Sequence, residues 1–132
     1  MVVVRWAPNG VSIPVPFVVD TGAFDMTLSQ NDAAELGASV EDMPESDSAI
    51  MGIGGEARSF DMEGVSMTFV GEDDRTLTIS PERVRVMGYP VCDSCEDELA
   101  YAPSLMGRRF MEEHGFTLFW DFPRRVAVLE IE

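Results

Sequence analysis

Phe17-Val18-Val19-Asp20-Thr21-Gly22-Ala23 carries an apolar strand straight into an acid, a hydroxyl and a glycine, and Phe24-Asp25-Met26-Thr27-Leu28-Ser29 then returns toward apolar. A carboxylate presented at a tight turn where a strand ends is an unusual place for a purely structural aspartate. Asp and Gly are also common turn residues, so the tripeptide alone is compatible with a simple turn acid. The rest of the chain decides which reading holds.

At 132 residues the chain fits one domain, 1–132, large enough for a real core. An apolar fraction of 45% and a mean hydropathy of +0.02 describe a globular chain rather than a disordered one. No apolar run approaches the roughly 18 residues of a spanning helix. Met1-Val2-Val3-Val4-Arg5-Trp6 meets Pro8, Asn9 and Gly10 almost at once and lacks the marks of a signal peptide, so it reads as a strand. The expectation is a cytoplasmic protein.

Acidic residues number 24 against 9 basic ones, for a net charge of −15, and every basic residue is arginine. Such a chain should repel nucleic acid and anionic membranes. A lysine-free acidic surface also suits a protein working in concentrated salt, where self-repulsion is screened; an arginine-favouring genome is the plainer explanation.

Taken in order, Val2 to Trp6 reads as a strand, Ala7-Pro8-Asn9-Gly10 as a turn, and Val11 to Phe17 as the return strand of a hairpin that ends in the Asp20 turn. Its two prolines suit an edge or a bulge. Ser29-Gln30-Asn31-Asp32 resembles a capping box opening a short helix that Gly37 ends. Glu41 to Asp47 is an acidic loop. Ile50-Met51, Gly52-Ile53-Gly54-Gly55 and the residues after them read as a glycine-tipped hairpin spanning about 48–60, although an ordinary loop tip has the same composition. Met62 to Phe69 alternates with a period of two and reads as one half-buried strand. Thr76 to Ile79 and Val84 to Met87 read as further strands. A helix begins near Arg108 and stops at Gly115, and Phe116–Asp121 with Val126–Ile131 forms a closing hairpin. The class is mainly β with one or two short helices.

Cys92 and Cys95 lie in an acidic loop, Val91-Cys92-Asp93-Ser94-Cys95-Glu96. Two thiolates are half a zinc site, and His114 alone cannot complete it. Neighbouring acids raise a thiol's pKa and work against reactivity. Free thiols or a local disulfide fit this loop; a metal shared between subunits and a redox-responsive protein are the alternatives.

Three features in sequence order change the weight of Asp20: the Asp20-Thr21-Gly22-Ala23 turn, the Met51-Gly52-Ile53-Gly54-Gly55 tip, and Leu105-Met106-Gly107-Arg108 ahead of a short helix. Together they resemble the retropepsin-like aspartic proteases, the single-domain enzymes that include retroviral proteases and their cellular relatives. The resemblance covers the chain from about Gly10 to Leu129 and implies a small closed β-barrel that works as a homodimer, with one Asp20 from each subunit. Paired carboxylates cannot both ionise comfortably, so they share a proton and titrate as a pair. One activates a water and the other polarises the peptide carbonyl, with neither metal nor organic cofactor required.

By the same resemblance Thr21 hydrogen-bonds across the dimer axis, and Gly22 and Ala23 leave room for substrate backbone. Gly52, Ile53, Gly54 and Gly55 form a flap over an extended peptide, and Leu105, Met106 and Gly107 brace the active-site loop. The viral enzymes place an acid directly after the alanine and pair it with the arginine matched by Arg108. Here that position is Phe24. Either Asp25 takes over the ion pair or the dimer is held differently. The competing function is a non-catalytic dimerisation or peptide-binding module of the same fold.

Overall fold

The computed structural model describes residues 1–52, 55–90 and 102–131, which form twelve strands, two short α-helices and one 3-10 turn. The architecture is mainly β, as the sequence indicates. Cys92, Cys95, Ile53 and Gly54 lie outside the described residues.

The first sheet has the order β2-β1-β7-β8, built from β1 (Val2–Trp6), β2 (Val11–Pro14), β7 (Val65–Val70) and β8 (Thr76–Ile79). Val65 and Met67 of β7 are buried while Ser66 and Thr68 turn the other way, and the Thr68 and Thr78 hydroxyls meet across the strands at 2.9 Å.

A second, six-stranded sheet carries the candidate site, in the order β3-β10-β4-β9-β6-β5. Its strands are β3 (Phe17–Asp20), β4 (Thr27–Leu28), β5 (Ile50–Gly52), β6 (Gly55–Met62), β9 (Val84–Pro90) and β10 (Ser104–Gly107). β11 (Phe116–Asp121) and β12 (Val126–Ile131) pair only with each other among the described residues.

Three expectations require correction. None of these sheets closes on itself among the described residues, so the closed barrel is not found. β2 ends at Pro14, and Val15 and Pro16 separate it from β3; the two strands then join different sheets rather than making one return strand. A proline supplies no ladder N–H, and both strands lie at sheet edges where that loss is tolerated. The long strand expected over Met62 to Phe69 is likewise two strands. Gly64, at φ 76°, turns the chain between β6 and β7, and the apolar alternation resumes out of phase.

One buried cluster joins the two larger sheets: Val4 and Met67 from the first, Leu28, Met62, Val84, Val86 and Met106 from the second. Helix α1 (Gln30–Glu35) adds Ala33, with Leu36 beyond its end. The Ser29 hydroxyl caps it by accepting from the Asp32 N–H at 3.1 Å. The reciprocal half of the box is supplied from elsewhere: Ser104 Oγ donates to the Asp32 carboxylate and accepts from the Ser29 N–H. Gly37 closes the helix, with Gly37 N–H on Ala34 O and Ala38 N–H on Ala33 O. Helix α2 (Arg108–Glu113) buries Phe110 and Met111, and Phe116 ties the last hairpin to the body through Phe69 at 5.2 Å and Phe110 at 5.8 Å. No described helix is long and apolar enough to cross a membrane.

Met67 is fully buried between the sheets. Met67→Ala should cost about 2–5 kcal/mol of stability, read by urea denaturation. A cost near zero would mean that the two sheets do not share this core.

Candidate active site

Strand β3 delivers Asp20 to the edge of the larger sheet. It runs parallel to β10, in the register Phe17↔Ser104, Val18↔Leu105, Val19↔Met106 and Asp20↔Gly107. Met106 is buried in the core, so the strand behind the acid is anchored. Asp20 itself is half-buried, while Thr21 and Gly22 are exposed.

The turn is held by the acid's own carboxylate. Asp20 Oδ1 accepts from the Gly22 N–H at 2.9 Å and from the Ala23 N–H at 3.3 Å, and Ala23 N–H also reaches Asp20 O at 3.1 Å. Among the described residues Oδ2 accepts no hydrogen bond. A Cβ at Gly22 would stand 3.2 Å from Oδ1, so a side chain there would crowd the carboxylate.

The Leu105-Met106-Gly107-Arg108 segment meets this loop. Helix α2 has no side-chain cap, and its first N–H groups need acceptors. Arg108 N–H donates to Ala23 O and Arg109 N–H to Phe24 O, each at 2.9 Å. This close approach requires the glycine before the helix. A Cβ on Gly107 would stand 2.6 Å from the Phe24 carbonyl oxygen and closer still to that of Asp25.

Arg108 and Asp25 do not pair. Arg108 Nε lies 3.4 Å from Glu112, one helical turn on, and the guanidinium groups of Arg108 and Arg109 lie 6.0 and 5.6 Å from the centre of the Phe24 ring. Asp25 instead faces Arg85 of β9, with 2.9 Å between Oδ2 and Nε. Only 19% of the Asp25 side chain and 13% of the Arg85 side chain is exposed, so this pair is largely withdrawn from water. Sequence reasoning missed Arg85. Its place between Val84 and Val86 signals an outward-facing position, and nothing nearby in sequence names its partner.

β5 and β6 pair as a hairpin, Ile50↔Ala57, Met51↔Glu56 and Gly52↔Gly55. Its strands occupy the end of the sheet opposite β3. Below it, Arg58 grips Glu45 through two bonds of 2.8 and 2.7 Å, and the side-chain hydrogen bond from Arg58 holds the Glu45 carboxyl below the ordinary carboxylate range. Ser46 N–H donates to Ser59 O at 2.8 Å, so the acidic loop is stitched to β6. Among the described residues no group of three or more His, Cys, Asp or Glu could hold a metal ion.

No protein-family model and no curated protein matches the chain. Solved structures do. A retropepsin-like aspartic protease from Rickettsia conorii superposes with a TM-score of 0.55 at 19% identity, over 99% of this chain and 89% of that one. The EIAV protease complexed with the inhibitor HBY-793 superposes with a TM-score of 0.52 at 18% identity, over 90% of this chain and 88% of that one. The fold is therefore that of the retropepsin-like aspartic proteases, at identities that establish fold alone.

Gly107→Ala should drive its methyl into the carbonyls behind the loop, costing about 1–3 kcal/mol or more. Thermal melting would show the loss, and amide exchange at Gly22 and Ala23 should quicken. An alanine accepted without either change would contradict this packing.

Proposed function

We propose that the chain is an aspartic endopeptidase that acts as a homodimer, with Asp20 of each protomer forming the catalytic pair. The observation that carries this reading is the presentation of Asp20. Its carboxylate is fixed at one oxygen by two backbone N–H groups, open at the other, and backed by a strand and a helix that leave the loop little freedom.

Two such carboxylates brought together across a twofold axis share one proton. The ionised member takes a proton from a water held between them, and that water's oxygen bonds to the peptide carbonyl carbon. The protonated member donates to the carbonyl oxygen as it gains negative charge. Collapse of the tetrahedral species breaks the C–N bond, with the pair passing a proton to the departing nitrogen. Thr21, Gly22 and Ala23 line the approach of an extended peptide, and the β5–β6 hairpin covers it.

One Asp20 per chain makes a second copy necessary, and the last hairpin offers a surface for it. Phe119 and Val128 face each other across β11 and β12 and are 51% and 41% exposed, with Val126 on the same face. Trp120, whose side chain alternates to the other face, stacks with Phe122 at 6.2 Å near the hairpin turn, and both are exposed. A lone two-stranded sheet is marginal in water, and a contiguous apolar face of this kind marks an interaction surface. Phe24, 56% exposed beside the Asp20 turn, adds an apolar contact where the viral enzymes carry an acid.

A second reading is a non-catalytic module of this fold. It is favoured by the bonds from Gly22 and Ala23 to Asp20 Oδ1, which give the acid a structural task without chemistry.

Asp20→Asn separates the two readings because asparagine retains the oxygen that accepts those bonds. Cleavage of an unfolded protein substrate should fall by about 10²–10⁴-fold while the dimer persists; undiminished cleavage would exclude the enzyme reading. Sedimentation over a salt series should show a dimer, and Val128→Asp should convert it to inactive monomers. A wild-type chain that cleaves substrate as a monomer would rule out the shared site.

A further inference from the structure

We propose that Arg85 is a positioning residue that ties the candidate active-site loop to the root of the flap hairpin, so that peptide capture depends on a side chain distant from Asp20 in the sheet. Its catalytic consequence rests on the peptidase reading above; the mechanical link does not.

Arg85, like its neighbour Val86, is in register with both strands that flank β9, and it lies opposite Thr27 of β4 and Asp61 of β6. Its backbone N–H donates to Met26 O at 3.1 Å, fixing the strand against the end of the Asp20 loop. Its side chain then reaches in two directions. Nε lies 2.9 Å from Asp25 Oδ2, on the loop. Nη2 donates to Ser48 Oγ at 3.1 Å and Nη1 to Ser48 O at 3.4 Å, two residues before β5 begins. Ser48 O also accepts from Ser59 Oγ of β6 at 2.9 Å, and Ser59 is buried. Both strands of the hairpin thus converge on the residue that Arg85 holds.

The geometry differs from that of a simple structural ion pair. An arginine serving one carboxylate sets its planar fork against both oxygens. Here the Nε hydrogen is buried and is not directed at Asp25, although the charges are close, because the outer nitrogens are turned toward Ser48. The carboxylate directly across the strands, Asp61, is occupied by Ser46 Oγ at 2.6 Å and faces Arg83 at 3.8 Å. Arg85 is therefore shared between loop and hairpin. Loosening it should free the hairpin root relative to the loop, which would weaken capture of a peptide more than the chemical step.

The test uses the full chain with Arg85→Met, Arg85→Lys and Asp25→Asn, and with Ser48→Ala as the mild variant should the others fail to fold. Amide exchange at Ser46 and through β5 should rise about three- to tenfold, the worth of one hydrogen bond, in the Arg85 and Asp25 variants and by less in Ser48→Ala. With a peptide substrate KM should rise by a similar factor while kcat stays within about twofold, and lysine should recover part of the loss. A lower melting temperature with exchange and KM unchanged would overturn the link. A protein without peptidase activity that still shows the exchange response keeps the link and removes the peptidase reading. An active one with no exchange response does the reverse.

Discussion

The first two N–H groups of helix α2 find their acceptors in the carbonyls of Ala23 and Phe24, and much of the site depends on that exchange. A helix start without a side-chain cap leaves donors that must be satisfied, and a loop with inward carbonyls has the opposite need. Each completes the other only because Gly107 lets the two backbones come within contact distance. β10 then places Met106 in the core and Gly107 opposite Asp20, so the acid is held from behind by hydrogen bonds and by burial together. The loop's position follows from packing that lies far from it in sequence.

The same sheet joins this loop to the hairpin at its other end. Between them lie β10, β4 and β9, and the register of β9 with β4 and β6 places Arg85 within reach of both Asp25 and Ser48. A largely buried arginine is tolerated there because it has a carboxylate on one side and a serine carbonyl and hydroxyl on the other. Asp25 is consequently engaged away from Arg108, and Arg108 and Arg109 flank the exposed Phe24 ring. Position 24 therefore presents an aromatic surface beside the Asp20 turn. A second copy docking nearby would meet apolar area, and it would have to overcome repulsion between two chains of charge −15 each. Salt screens such repulsion, which gives the acidic composition a bearing on assembly as well as on solubility.

Local signals in the sequence were the ones that translated into structure. The Val2–Trp6 strand, the Ser29 cap, the Gly37 stop, the hairpin from Ile50, the helix from Arg108 and the closing hairpin are each specified within a few neighbouring residues. Errors arose where a local pattern admitted two continuations. Met62 to Phe69 can be read as one alternating strand, although the chain turns at Gly64 and its buried apolar positions change phase there. Val11 to Asp20 resembles one strand although its prolines pass it from one sheet to another. Long-range pairings had no local signature at all: Asp32 is met by Ser104, and Arg85 by Asp25 and Ser48, because of strand order alone. The Asp20 turn was legible because its chemistry is compressed into four residues.

The proposed active site belongs to two chains at once. Mixing wild-type protein with the Asp20→Asn chain, under conditions where subunits exchange, addresses it directly. With random pairing at equal amounts, activity per wild-type chain should fall to about half, because dimers carrying one asparagine lose the pair. Activity per wild-type chain that stays constant at every mixing ratio would show that each protomer works alone, and would exclude a site shared between two chains.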